Sequence, residues 1–162
     1  MRLYLIRHGI AIDHTDPKCP AEPERMLTKK GRERTQEVAR GLAKLGIQPT
    51  AFYSSPYVRT METAEIFAEE LTFPIIKIRR TEALLSDAAP SEFMKLLIKE
   101  RPTEACCFGH APHLDNFIAH VLGVRHTVTA LKKAGAACIE LEDLKKPHGW
   151  LVWLNEPKQF RK

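Results

Sequence analysis

Short apolar runs of strand chemistry alternate with longer segments of helical periodicity along nearly the whole chain. This alternation restricts the fold more than any other feature. Residues 3–6, 51–54, 75–78, 105–108, 136–141 and 151–154 read as strands. Between them, Thr28 reads as the N-cap of a helix with apolar or small residues at helical spacing at Thr35, Val38, Ala39, Leu42 and Leu45, and Gly46 just past its end. Ser55 reads as a second cap with Pro56 in the first helical position, followed by the stripe Met61, Ala64, Phe67, Ala68 and Leu71. Two more helices are expected over 91–99 and 112–122, the latter closed by Gly123. Residues 13–25 hold Pro17, Pro20 and Pro23 and read as loop, because proline lacks an amide donor and interrupts a helix. The pattern predicts an α/β fold: a single three-layer α/β/α domain with a mostly parallel sheet flanked by helices.

The chain has 162 residues, 44% of them hydrophobic, which suits one globular domain over residues 1–162. No internal repeat, low-complexity tract or linker divides it. The formal charge of +5 is spread along the chain, with short clusters at 29–34, 77–80 and 132–133 that read as solvated faces. An excess of this size is compatible with nucleic acid, an anionic small molecule or an acidic partner. An aromatic-and-basic RNA signature and a helix-turn-helix signal are both missing, so nucleic acid is not the expected partner. The apolar stretch before Arg7 is too short for a signal-peptide core, and no segment has the length of a membrane span. Cys19, Cys106, Cys107 and Cys138 form no C-x-x-C pair or disulfide pattern and read as reduced thiols of a cytoplasmic protein. Adjacent Cys106 and Cys107 should face opposite sides of their strand.

Ligands of such sheets bind beyond the carboxyl ends of the strands. Three strand ends carry chemistry here: Arg7-His8-Gly9, Ser54-Ser55-Pro56 with Arg59 just inside the next helix, and Gly109-His110. Together they bring two arginines and two histidines to one crevice. A guanidinium offers a planar, permanently charged fork for two phosphate oxygens. A helix N-terminus at Arg59 adds amide donors and a favourable dipole. A neutral imidazole can attack phosphorus while a second one hydrogen-bonds an equatorial oxygen. Phosphoryl transfer needs chiefly in-line positioning and charge neutralisation, and this set supplies both without a metal or other cofactor.

These blocks carry a resemblance. Arg7-His8-Gly9 after an N-terminal strand resembles the signature of the histidine phosphatase superfamily, the phosphoglycerate-mutase-like fold. Leu27-Thr28-x-x-Gly31, Ser54-Ser55-Pro56-x-x-Arg59-Thr60-x-x-Thr63-Ala64 and Phe108-Gly109-His110 resemble further family segments in the same order. Within the superfamily the chain is most similar to the compact SixA-type phosphohistidine phosphatases. It has no room for a large cap, Pro112 follows the second histidine, and the tail Leu131-Lys132-Lys133-x-Gly135 with Trp153-Leu154-x-x-Pro157 resembles the SixA-type ending. The resemblance implies that His8 is the nucleophile and forms a phosphohistidine. It further implies that Arg7 and Arg59 clamp the phosphoryl oxygens, that His110 stabilises transition-state charge and that water then hydrolyses phospho-His8.

Many superfamily members place a glutamate as general acid. Glu82, in Arg80-Thr81-Glu82-Ala83-Leu84, is the candidate here, against the plainer reading of a surface carboxylate. An imidazole leaving group departs more easily than an alkoxide, so a weak acid match favours a phosphohistidine substrate. Ile10 stands where SixA-type sequences commonly have an acidic residue. The expected partner is therefore a protein bearing phosphohistidine or a small phosphorylated molecule. A phosphomonoesterase on the same fold and a non-catalytic basic binding module are the rival readings. His110 and His113 near Cys106 and Cys107 match no usual zinc spacing, so no metal site is expected. His113 reads as a residue at the rim of the site or a structural one, and Trp150 and Trp153 read as strand packing.

Overall fold

The first apolar run lies inside a six-stranded sheet as β1 (Arg2–Arg7). The computed structural model describes residues 1–143, 146 and 148–160. The other strands are β2 (Ala51–Ser54), β3 (Arg79–Arg80), β4 (Glu104–Gly109), β5 (Ala136–Asp143) and β6 (His148–Asn155), in the spatial order β3-β2-β4-β1-β5-β6. β4 pairs in parallel with β1 and β2, and β2 pairs in parallel with β3. β5 is antiparallel to both β1 and β6, so it alone of the six runs against the others. The sheet is mostly parallel, as the alternation of strands and helices predicts.

Helices cover both faces: α1 (Lys29–Lys44), α2 (Val58–Glu70), α3 (Pro90–Glu100) and α4 (His113–Val121). Side chains alternate across each strand and so feed two cores. Leu3, Leu5, Tyr53 and Cys107 pack with Phe93 and Leu97 of α3 and with Phe117 and Ile118 of α4. Tyr4, Ile6, Phe52, Cys106 and Phe108 pack with Val38 and Leu42 of α1 and with Phe67 and Ala68 of α2. Cys106 and Cys107 therefore face opposite layers. Trp153 stacks on Tyr4, while Trp150 is half exposed.

Thr28 caps α1 as its sequence indicates, with its hydroxyl accepting from the Gly31 amide at 3.0 Å. Two local expectations are corrected. Residues 75–78 do not form a strand. Ile75–Lys77 is a turn of 3-10 helix, tied by Lys77 N–H to the Pro74 carbonyl, and only Arg79–Arg80 reaches β2. The run sits at the sheet edge with Ile76 almost fully exposed, and of its three isoleucines only Ile78 packs against a core. Ser55 and Pro56 do not start the second helix either. Tyr57 is its N-cap and Val58 its first residue, because Ser55 is engaged in the crevice.

Candidate active site

Parallel neighbours end at the same edge of the sheet, and that brings the three sequence blocks together. Arg7 at the end of β1 lies in register with Gly109 at the end of β4, and Ser54 of β2 with Phe108. Beyond these ends His8 N–H donates to the Gly109 carbonyl and Ser55 N–H to the Phe108 carbonyl, both at 3.0 Å. The rings of His8 and His110 are thereby set 5.2 Å apart, centroid to centroid. Gly9 follows His8 where a side chain has no space: a Cβ there would lie 2.4 Å from the Thr35 hydroxyl. Its amide donates to Thr63 Oγ1 on α2 at 3.0 Å.

His8 is buried, and its Nδ1 lies 2.7 Å from the carbonyl of Gly9. A carbonyl only accepts, so Nδ1 carries the proton and Nε2 keeps its lone pair. Burial pushes the pKa of His8 down to about 3, and the charges of Arg59, Arg7 and Lys133 push the same way against the Gly9 carbonyl. The residue is thus a neutral imidazole with one free nitrogen at physiological pH, which is the form a nucleophile requires.

Arg7 and Arg59 flank it. Arg7 Nη1 donates to the Leu131 carbonyl at 2.8 Å. Arg59, in the first turn of α2, donates from Nη1 to the Glu22 carbonyl and from Nη2 to Glu22 Oε1, at 2.8 and 2.7 Å. Its guanidinium lies 4.9 Å from the centre of the Tyr57 ring. Burial lowers the pKa of both arginines, opposed by Asp115 at Arg7 and by Glu22 at Arg59. A guanidinium still stays charged near neutrality. The Nε of each is buried and has no hydrogen-bond partner among the described residues. A buried, unpartnered donor on a cation is costly unless an anion arrives to meet it, and here two such donors flank one imidazole.

His110 completes the set. A guanidinium cannot accept, so the 3.3 Å approach of Arg59 Nη2 to His110 Nδ1 makes Nδ1 the acceptor. His110 Nε2 then donates to Ser55 Oγ at 2.8 Å. Burial, followed by the charges of His8 and Arg59, pushes its pKa to about 3. Tyr57 meets the same ring edge-on at 5.3 Å.

The structure brings His8, Arg7, Arg59 and His110 together, and among the described residues Glu82 makes no hydrogen bond or ion pair with any of them. Glu82 opens a 3-10 turn (Glu82–Leu84), is exposed, and lines a separate cavity with Thr81, Glu92, Lys95 and Lys99. The carboxylate that does reach the clamp is Glu22, on a 3-10 turn (Glu22–Glu24) inside the proline-rich loop. Glu22 Oε2 also accepts from Arg25 Nη1 at 2.9 Å and lies 3.4 Å from His14 Nδ1. Burial works to raise the pKa of Glu22, but its partners Arg25, Arg59 and His14 outweigh burial and lower it. Nothing in the sequence of that loop singled out Glu22 or Arg25. Ser55 and Thr63 were in the quoted motif without a role in the site. Asp115 is a further supporting residue: its Oδ1 accepts from Thr129 Oγ1 and Leu131 N–H at 2.7 and 3.0 Å, anchoring the segment that holds Arg7. His113 is fully buried, with neither ring nitrogen partnered among the described residues.

The chain resembles known proteins in sequence and in fold. The sequence model of the histidine phosphatase superfamily (branch 1) matches residues 3–85. An uncharacterized protein of Picosynechococcus is 44% identical over 68 residues, which is 42% of this chain and 40% of that protein. The chain spans less than half the length of the curated relatives it matches. Among solved structures, the protein histidine phosphatase SixA complexed with tungstate superposes with a TM-score of 0.87 at 19% identity, covering 99% of this chain and all of that one. A phosphoserine phosphatase of Entamoeba histolytica in complex with phosphoserine superposes with a TM-score of 0.71 at 17% identity, covering 97% and 98%. With the family's segments matched from the first strand past Arg59 and the whole fold shared, this chain belongs to the histidine phosphatase superfamily, branch 1.

Proposed function

We propose that the protein is a metal-independent phosphatase that works through a phosphohistidine on His8 and removes phosphate from phosphohistidine in a protein. The observation that carries this reading is the pairing of a neutral His8, its Nε2 unprotonated, with two guanidiniums whose buried Nε donors have no partner among the described residues. In the first step His8 Nε2 attacks phosphorus as the bond to the leaving group breaks. Arg7 and Arg59 hold the non-bridging oxygens, and His110 stabilises the charge that builds on them. In the second step water attacks phospho-His8, releasing inorganic phosphate and restoring the free imidazole.

The carboxylate at the clamp supports the substrate class. Glu22 is held ionised by its cationic neighbours and is a poor proton donor to an alkoxide. An imidazole leaving group needs less help, which supports the phosphohistidine reading. A small-molecule phosphomonoesterase is the second reading, favoured by the fold shared with a phosphoserine phosphatase. Four free thiols, three of them buried, support a reducing compartment such as the cytoplasm for one domain over residues 1–162.

Intact-mass measurement after brief incubation with phosphoramidate tests the proposal. The natural chain gains an acid-labile phosphate adduct and His8→Ala does not. No adduct and no phosphate release from either chain overturns the reading and leaves a fold kept for binding.

A further inference from the structure

A cavity of about 520 Å³ adjoins the phosphate clamp on the side of Arg7. Arg7, Arg34, Lys132, Lys133 and Lys158 line it, with Glu156 as the sole carboxylate of the lining. Lys158 pairs with Glu156 at 3.0 Å, while Arg34, Lys132 and Lys133 have no ion pair with a described residue. The lining therefore holds a strong excess of positive charge beside a site already rich in it. Surface lysines of a solvated face have no reason to gather in one concavity with a clamp arginine.

The backbone that carries two of these cations is tied to the site. Lys132 and Lys133 sit on the turn that closes onto the nucleophile. Arg7 Nη1 donates to the carbonyl of Leu131, Arg7 N–H to Gly135, and Ala134 N–H to the carbonyls of Arg7 and His8 at 3.1 and 3.0 Å. Leu131 N–H is held by Asp115 at 3.0 Å. Arg34 projects from α1, and Lys158 belongs to the C-terminal turn Pro157–Phe160. That turn lies against α1, since a Cβ on Gly41 would fall 2.1 Å from the Phe160 ring. Three separate segments thus aim cations into one space whose wall is the clamp arginine. Lys133 is close enough to His8 for its charge to oppose protonation of that ring.

We infer that this cavity is a second anion subsite, which takes a carboxylate or a second phosphate carried by the same substrate as the transferred phosphoryl group. The inference rests on the proposed phosphatase reading and adds the substrate's charge pattern to it. Cations set beside the reacting group attract and bind a second anion without touching phosphorus, so the subsite acts on substrate capture and specificity rather than on bond breaking.

The test compares kcat/KM across substrates that differ only in the second anion. One pair is a phosphohistidine peptide with aspartates beside the phosphorylated residue and the same peptide with asparagines. The other pair is a small bisphosphate and its monophosphate. The natural chain should prefer one doubly anionic substrate by about tenfold, a preference that shrinks as salt is raised. Lys132→Gln with Lys133→Gln should remove most of that preference. Arg34→Gln with Lys158→Gln should do the same from outside the nucleophile's turn, which separates lost charge from a disturbed fold. A preference within the peptides assigns the subsite to acidic residues of a protein, and one within the small molecules assigns it to a second phosphate. Equal kcat/KM within both pairs, or a preference that both double variants keep, overturns the inference. Phosphoramidate serves as the control: failure to phosphorylate His8 of the natural chain sinks the phosphatase reading itself.

Discussion

Arg59 Nη2 lies 2.7 Å from Glu22 Oε1, so the phosphate clamp holds a carboxylate of its own chain in the ligand-free structure. An incoming phosphoryl group must compete with that carboxylate for the guanidinium. Glu22→Gln keeps the shape and removes the charge. Inorganic phosphate should then inhibit the variant at about 3–10-fold lower concentration. Titration of phosphate against hydrolysis checks this, and weaker inhibition would mean that Glu22 holds Arg59 in place instead of screening it.

Ser55 Oγ accepts from His110 Nε2 and so fixes the ring that faces the nucleophile. Ser55→Ala leaves a buried imidazole N–H without a partner, at a cost of about 1–3 kcal/mol. We expect kcat to fall about 10–100-fold with little change in KM. A change confined to KM would assign Ser55 to substrate binding.

Acid should destabilise the protein in a defined window. His8 and His110 have folded-state pKa values of about 3, pushed down first by burial. In the unfolded chain both return to about 6.5 and take up protons from there downward. Their contribution to stability is complete above pH 6.5 and is lost as the pH falls from 6.5 towards 3. Urea midpoints at pH 7, 5 and 4 should therefore drop in sequence, and less steeply in His8→Asn. Phosphoenzyme formation should show no downturn near pH 6.5 from His8, because the free enzyme keeps that ring neutral.

Gly31 lets α1 approach the loop after the nucleophile. A Cβ there would lie 2.0 Å from the carbonyl oxygen of Ile10, a backbone atom that cannot rotate aside. Gly31→Ala should cost at least about 2 kcal/mol in urea unfolding and should also lower activity by moving residues 8–10. An unchanged midpoint would show that the loop shifts freely.

Glu82→Gln should alter hydrolysis of phosphoramidate and of an alkyl phosphate by no more than about twofold, since Glu82 is exposed and lines a cavity with Thr81, Glu92, Lys95 and Lys99 and none of the clamp residues. Selective loss of ester hydrolysis would bring the phosphomonoesterase reading to the front.

The sequence by itself determined the alternation of strands and helices, the Thr28 cap and the three strand ends that carry Arg7, His8, Arg59 and His110. These features depend on local periodicity and on residue chemistry close in the chain, and parallel pairing then places strand ends at one edge. Tertiary structure decided the rest. Residues 75–77 turn into a 3-10 helix at the sheet edge, where Ile75 and Ile76 stay exposed, although their β-branched side chains favour a strand. Ser55 lies outside the helix and its hydroxyl meets His110, 55 residues away, a partner that no local pattern indicates. Glu22 reaches Arg59 across 37 residues from a loop with no readable period. Lys132 and Lys133 become part of a site because the turn that carries them is bonded to the backbone of Arg7 and His8. Each of these rests on contacts between segments distant in sequence, which a pattern of neighbouring residues does not encode.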